Sequence, residues 1–141
     1  MKKVLFVCVE NAGRSQMAEA IARAYGVDAS SAGTIPAEAV NPTVVEAMRQ
    51  RGFNLATNRP KMLTGQMIED ADYVVTMGCR VESVCPKPLI VKMEKKLVDW
   101  QIDDPKGKPI EDVRKIQREI ENRIIELLKK PESQSRERTG G

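Results

Sequence analysis

The chain begins with an unbroken apolar run, Lys3–Val9 (KVLFVCV), that is rich in β-branched residues. Such a run is typical of a β-strand buried on both faces, as found where helices cover both sides of a parallel sheet. The run breaks at Glu10–Gly13, and from Arg14 the apolar residues recur at helical spacing. The beginning of the chain therefore predicts a strand, a tight loop and a helix, the unit from which parallel α/β sheets are built.

The same alternation continues along the chain. Three further buried strands are predicted, at Val27–Ala32, Asp72–Met77 and Leu89–Met93. Two further helices are predicted to begin at Pro42 and at Pro109, and the second has the strongest helical periodicity in the sequence. We therefore expect an α/β fold with a four-stranded parallel sheet flanked by helices on both faces.

Residues 1–130 are predicted to form a single domain, because the chain has only 141 residues and no linker divides it. The segment 131–141 is predicted to be a disordered tail, since no apolar residue follows Pro131. No apolar stretch approaches the roughly 20 residues of a membrane span, and no secretory signal is present. We therefore expect a cytoplasmic protein without membrane contact, and the net charge of +3 is too balanced to indicate nucleic-acid binding.

The chain contains no histidine. This excludes activation of a nucleophile by imidazole, histidine metal sites and histidine pH switches. The three cysteines, Cys8, Cys79 and Cys85, are odd in number, which favours reduced cytoplasmic thiols over a secreted disulfide framework. A zinc site requires four ligands, and three cysteines without histidine cannot supply them.

Residues 8–15 (CVENAGRS), called here the anion loop, lie where a parallel sheet binds ligands, between a strand end and a helix start. Converging backbone N–H groups and a helix N-terminus would hold a tetrahedral oxyanion there, and the Arg14 guanidinium could bind two of its oxygens. The same positive field favours the thiolate of Cys8, to which Ser15 could donate a hydrogen bond, while Asn11 could pin the loop. The residues predicted to bind substrate are Glu10, Asn11, Ala12, Gly13, Arg14 and Ser15. The alternative is a strand-to-helix turn with a buried structural cysteine.

The segment Cys8–Glu19 (CVENAGRSQMAE) resembles the low-molecular-weight tyrosine phosphatase superfamily, and more narrowly the arsenate reductases of that fold. Three further segments match, at Ser31–Thr34, Asn41–Pro42 and Asp103–Pro105. The resemblance covers residues 2–130 and implies a Rossmann-like, three-layer sandwich with the anion loop as the active site. It also implies that Cys8 is the nucleophile and Arg14 the oxyanion clamp.

Asp104, which precedes Pro105, corresponds by the same resemblance to the general acid and base of the family. A carboxylate is chemically reasonable in this role, because without histidine some other group must protonate the leaving oxygen. The alternative is that Asp103–Pro105 is an acidic surface turn.

Two departures from the phosphatase pattern favour a reductase. Phosphatases of this fold usually carry an aromatic residue after the Asp-Pro pair, whereas Lys106 and Gly107 follow it here. They also usually carry glycine two positions after the nucleophile, where this chain has Glu10.

Cys79 and Cys85 stand where thioredoxin-linked arsenate reductases carry a redox pair, although two structural cysteines would give the same pattern. The resemblance implies that arsenate is reduced to arsenite through Cys8, Cys79 and Cys85, with thioredoxin or a similar thiol as reductant. Phosphate and sulfate would compete with arsenate, no metal or organic cofactor would be needed, and we expect a monomer. Two alternatives are a phosphatase acting on phosphotyrosine or other phosphomonoesters, and a non-catalytic oxyanion sensor.

Overall fold

The computed structural model describes residues 2–77, 88, 91 and 96–129. Its sheet has four parallel strands in the spatial order β2-β1-β3-β4. The strands are β1 (Lys3–Cys8), β2 (Asp28–Gly33), β3 (Tyr73–Thr76) and β4 (Leu97–Asp99). The helices named here are α1 (Arg14–Ala24), α2 (Pro42–Arg49), α3 (Gly65–Asp70) and α4 (Ile110–Lys129). In this described part of the chain, no helix has the length and apolar character needed to cross a membrane.

The central strand β1 is buried on both faces, as its unbroken apolar run predicts. Val4 and Phe6 belong to a core cluster with side chains of α1, α2 and α4. Leu5 and Val7 belong to a second cluster, to which Ile68 of α3 contributes. Side chains alternate along a strand, so these two clusters lie on opposite faces of the sheet. The expected four-stranded parallel sheet flanked by helices on both faces is confirmed.

The fourth strand lies elsewhere than the sequence pattern indicates. The observed strand is β4 at Leu97–Asp99. Of the predicted strand 89–93 the structure describes only Val91, and that residue is helical. β4 is a three-residue strand at the edge of the sheet, and its first and last side chains are exposed. An edge strand of this length has no apolar run that would distinguish it from a loop.

The sequence pattern also does not predict α3. This helix has six residues and only one buried side chain, Ile68, so it shows no helical periodicity. Its start is marked by Thr64, whose hydroxyl accepts a hydrogen bond from the Met67 N–H at 3.2 Å, the arrangement of a helix N-cap.

Two sets of predictions lie outside the described residues. Cys79 and Cys85 fall within residues 78–87, and the predicted disordered tail falls within residues 130–141. The assignment of residues 1–130 to one domain stays a prediction.

A polar cluster joins the C-terminal end of α1 to α4. The Tyr25 hydroxyl donates a hydrogen bond to Glu121 Oε2 at 2.7 Å, and Arg51 Nη2 lies 2.9 Å from Glu121 Oε1. The hydrogen bond from Tyr25, helped by Arg51 and opposed by desolvation, lowers the pKa of Glu121 from its ordinary value of 4.5. A carboxyl whose pKa is lowered by folding stabilises the fold above its unfolded pKa, and this contribution is lost as the pH falls.

We expect Tyr25→Phe to lower the urea midpoint of unfolding at pH 7 slightly, because the mostly exposed hydrogen bond to Glu121 is lost. The difference from the wild type should shrink as the pH falls below about 4.5, because the unfolded chain then binds a proton at Glu121 that the hydrogen bond from Tyr25 opposes in the folded protein. The matched control is Tyr73→Phe in β3. A difference that stays constant from pH 7 to pH 3 would contradict this account of Glu121.

Candidate active site

The candidate active site is a cleft of about 930 Å³ at the carboxyl end of β1. The anion loop forms one wall, and the others come from residues 37–42 and from residues 101–107, which follow β4. Parallel strands bring their carboxyl ends to one edge of the sheet, which is where α/β folds bind ligands. The loop that the sequence singles out therefore lines the cleft.

Five carbonyl groups of the anion loop accept hydrogen bonds from the protein's own backbone. Backbone N–H groups of residues 34–41 donate to four of them, in the pairs Thr34–Cys8 (3.3 Å), Ile35–Val9 (2.8 Å), Ala37–Glu10 (3.0 Å) and Asn41–Ala12 (2.8 Å). A fifth, that of Gly13, accepts the Met17 N–H at 3.0 Å within the first turn of α1. These bonds fix the backbone of the loop, and a fixed loop at a helix N-terminus can present its N–H groups to an oxyanion.

Cys8 lies at the base of this loop and is 3% exposed. Its sulfur accepts a hydrogen bond from the Asn11 N–H at 3.2 Å and lies 2.9 Å from Ser15 Oγ. The Asn11 side-chain amide donates to the same Ser15 oxygen at 2.7 Å, which leaves the single hydroxyl proton of Ser15 for the sulfur. Two donors are therefore aimed at Cys8 Sγ, and such donors stabilise negative charge on sulfur.

Asn11 fixes the shape of the loop. It has a left-handed backbone (φ 52°), which asparagine tolerates better than most residues. Its side-chain oxygen accepts hydrogen bonds from the Lys61 N–H at 2.8 Å and from Gln16 Nε2 at 3.0 Å. Gln16 is 1% exposed and is a supporting residue that the sequence analysis did not identify. A polar side chain on the buried face of α1, directly after Ser15, is the signal that would have identified it.

Two glycines allow close approaches around the loop. A Cβ atom on Gly33, at the end of β2, would lie 2.6 Å from the Val9 carbonyl oxygen. A Cβ atom on Gly13 would lie 2.8 Å from Cγ of Pro105. Because neither position has room for a side chain, the anion loop packs directly against β2 and against the turn that contains Asp104.

Arg14 is the first residue of α1 and is 8% exposed. Its Nη1 group donates to two backbone carbonyls, Met77 O at 2.7 Å and Ile102 O at 3.0 Å. Its Nη2 group lies 3.7 Å from Asp104 Oδ2. The guanidinium is thus held at the cleft by Met77, which follows β3, and by Ile102, which lies two residues before Asp104.

Asp104 lies at the edge of the cleft, in the turn that the sequence suggests. Its side chain is 58% exposed, and its Oδ1 atom accepts the Lys106 N–H at 3.0 Å. Both interpretations of Asp103–Pro105 therefore describe its position, since it is an exposed acidic turn and the Asp104 carboxylate lies 3.7 Å from the Arg14 guanidinium.

Glu10 and Lys106, the two departures from the phosphatase pattern, contact each other. Glu10 Oε2 lies 3.1 Å from Lys106 Nζ. Both residues stand out in the sequence, but their contact could not be predicted because they are 96 positions apart in the chain.

The model of the family described as low molecular weight phosphotyrosine protein phosphatase matches residues 3–137. The chain belongs to this family. An arsenate reductase of Brevibacillus brevis is 36% identical over 127 residues, which cover 87% of this chain and 91% of that protein.

Solved structures of similar chains include both reductases and phosphatases. The thioredoxin-dependent arsenate reductase of Corynebacterium glutamicum is 40% identical with a TM-score of 0.72, over 92% of this chain and 61% of that one. The YwlE arginine phosphatase from Geobacillus stearothermophilus is 27% identical with a TM-score of 0.82, over 97% of each chain. Family membership alone therefore does not separate the two activities.

The structure brings together the cysteine, the anion loop, the arginine and the aspartate that the sequence singles out. These residues are Cys8, Glu10, Asn11, Ala12, Gly13, Arg14, Ser15 and Asp104. Cys79 and Cys85 lie outside the described residues, although Met77, which binds Arg14, is the last described residue before them. Within residues 2–77, 88, 91 and 96–129, no group of three or more cysteine or acidic side chains is placed to hold a metal ion.

We expect Cys8 to react with iodoacetamide at neutral pH about tenfold faster than an ordinary thiol, because two donors stabilise charge on its sulfur. Phosphate or sulfate should protect it by occupying the loop. Mass spectrometry of the Cys8 peptide measures the reaction, and the peptides of Cys79 and Cys85 give an internal control for reagent and conditions. Alkylation of Cys8 at the rate of an ordinary thiol, with no effect of phosphate, would contradict the anion-loop interpretation.

Proposed function

We propose that this chain reduces arsenate to arsenite, with Cys8 as nucleophile and Cys79 and Cys85 as a redox pair. The observation that carries the proposal is the placement of the Cys8 sulfur, with two hydrogen-bond donors, in the cleft that Arg14 and Asp104 also line. The similarity to curated arsenate reductases supports arsenate as the substrate.

In the first step, the Cys8 thiolate attacks the arsenic atom of arsenate and an S–As bond forms. One arsenate oxygen leaves as water, and Asp104 supplies the proton. The N–H groups of the anion loop and the Arg14 guanidinium bind the other oxygens and the charge that develops on them.

In the second step, the Cys79 thiolate attacks Cys8 Sγ and forms a disulfide with it. The electron pair of the S–As bond passes to arsenic, which is reduced from As(V) to As(III) and leaves as arsenite. The Cys85 thiolate then attacks Cys79, which releases the Cys8 thiolate and leaves a Cys79–Cys85 disulfide. Thioredoxin or another dithiol returns the two electrons and restores both thiols.

The proposed relay requires a compartment that keeps thiols reduced, so we infer a cytoplasmic location. Phosphate and sulfate, which share the tetrahedral shape of arsenate, are expected to compete for the loop. We also infer that the chain works as a monomer, because every group that the relay uses belongs to one chain.

Hydrolysis of phosphomonoesters is the second candidate function, and membership of the phosphatase family favours it. The same thiolate would attack phosphorus, the ester oxygen would leave with a proton from Asp104, and water would hydrolyse the S–P bond. This route uses Cys8 but neither Cys79 nor Cys85. A non-catalytic oxyanion sensor is less well supported, because such a sensor needs no general acid at the position of Asp104.

A side-by-side assay tests the proposal. One arm follows arsenate-dependent oxidation of reduced thioredoxin, and the other follows hydrolysis of p-nitrophenyl phosphate by the same preparation. We expect sustained arsenate turnover and weak ester hydrolysis. Ester hydrolysis without arsenate turnover, with either thioredoxin or glutathione as reductant, would favour the phosphatase.

A further inference from the structure

An exposed ion pair connects two walls of the cleft. Glu10 Oε2 and Lys106 Nζ are 3.1 Å apart, and their side chains are 42% and 70% exposed. Both residues line the cleft that contains Cys8, which is buried. The pair thus joins the anion loop to the turn after Asp104, and its two side chains reach solvent whereas the thiol does not.

The turn that carries Lys106 is fixed against the anion loop. The Lys106 N–H donates to Asp104 Oδ1 at 3.0 Å, and Pro105 lies so close to Gly13 that a Cβ atom there would clash. The backbone on either side of the ion pair is therefore held, and only the two side chains have to separate to widen the cleft between them.

We propose that the Glu10–Lys106 ion pair makes the site selective for small, unesterified oxyanions over phosphate esters. The proposal rests on the proposed function only in taking the anion loop as the oxyanion site. A free arsenate or phosphate ion is small enough to bind the anion loop while the pair stays closed. An ester carries an organic group that extends toward solvent and displaces the pair, and no aromatic side chain is present among the described residues of the cleft to bind that group in return.

The pair also sets the charge at this exposed part of the cleft. Glu10 neutralises Lys106, so the ammonium group does not act as a second anchor for an anionic ester. Exposed ion pairs are weak, and we therefore expect their loss to change relative affinity by about fivefold, which corresponds to ~1 kcal/mol. An effect of this size adjusts selectivity and leaves the chemistry at Cys8 in place.

The test compares inorganic phosphate with phenylphosphonate, in which a phenyl ring is joined to phosphorus by a bond that hydrolysis does not break. Protection of Cys8 from iodoacetamide, read by mass spectrometry at one pH, gives a dissociation constant for each anion without turnover. In the wild type we expect phosphate to bind at least about fivefold more tightly than phenylphosphonate. Glu10→Gln and Lys106→Gln should each reduce this ratio by about fivefold.

The charge exchange Glu10→Lys with Lys106→Glu restores an ion pair and should return the ratio toward the wild-type value. The matched control is Lys108→Gln, which removes the same charge from the same stretch of chain and should leave the ratio unchanged. A wild-type ratio in both single variants overturns the proposal, and so does an equal fall in Lys108→Gln.

These outcomes are distinct from failure of the proposed function. If phosphate does not protect Cys8 in the wild type, the oxyanion site and both proposals fail together. If phosphate protects Cys8 but arsenate is not reduced, only the proposed function fails, and the ratio of the two dissociation constants still decides the role of the ion pair.

Discussion

Replacing Cys8 with serine should abolish both arsenate reduction and ester hydrolysis, whereas replacing Cys79 or Cys85 should abolish only sustained arsenate reduction. Loss of an activated nucleophile costs a factor of about 10⁴ or more, and both reactions begin with attack by the Cys8 sulfur. Ester hydrolysis ends with attack by water and requires no second thiol, so it should stay within about threefold of the wild type in the other two variants.

The two redox variants should also differ from each other in the proposed relay. Cys79→Ser leaves the Cys8–arsenate adduct without its attacking thiol, so no arsenite is released. Cys85→Ser should release one arsenite per enzyme molecule and stop with a Cys8–Cys79 disulfide, which non-reducing mass spectrometry detects. Quantifying arsenite in single-turnover and multiple-turnover reactions separates these cases. Multiple turnovers with thioredoxin in both variants would show that another thiol releases arsenite and that the relay is wrong.

Arg14→Lys should weaken phosphate binding and lower kcat/KM for ester hydrolysis by about 100-fold each, because charge-assisted hydrogen bonds to the anion are lost. Lysine keeps the positive charge but cannot present the planar pair of donors that binds two oxygens of an anion. It also cannot reproduce the bonds of Nη1 to Met77 O and Ile102 O, and a hydrogen bond from a charged group contributes about 1.5–3 kcal/mol.

The control for this prediction is Arg118→Lys, an exposed arginine of α4 outside the cleft, which should behave like the wild type. Urea unfolding of both variants shows whether Arg14→Lys remains folded under the assay conditions. Phosphate protection of Cys8 within threefold of the wild-type value would mean that the backbone N–H groups bind the oxyanion without help from Arg14.

The parts of the fold that could be predicted are those whose own residues are deeply buried. β1 is buried on both faces and α4 buries one side over twenty residues, so both have strong periodic patterns. β4 and α3 bury few side chains and are held by their neighbours instead, β4 by pairing with β3 and α3 by packing Ile68 under the sheet. Patterns within a short segment carry no information about such neighbours.

The candidate site divides in the same way. The anion loop could be identified because its cysteine, arginine and serine are close in sequence and adjoin a strand end. The partners that orient Arg14 could not, because they are backbone carbonyls 63 and 88 positions away, and a carbonyl has no sequence signature. The Glu10–Lys106 contact is equally remote in sequence. The spacing of residues in a sequence can predict a site whose residues all lie in one loop. A structure is needed to find a site whose residues come from several distant segments.

The hydrogen bonds that fix the anion-loop carbonyls have a thermodynamic consequence for the protein as a whole. The loop is preorganised by residues 34–41, so the cost of aligning its N–H dipoles is met during folding rather than on binding. An unfolded chain has no such array, and an oxyanion that binds only the folded chain must therefore stabilise it. At 100 times its dissociation constant, an anion adds about 2.7 kcal/mol to the free energy of unfolding. The thermal stability of the protein should consequently rise with phosphate concentration, even though phosphate is a competitor of the proposed substrate.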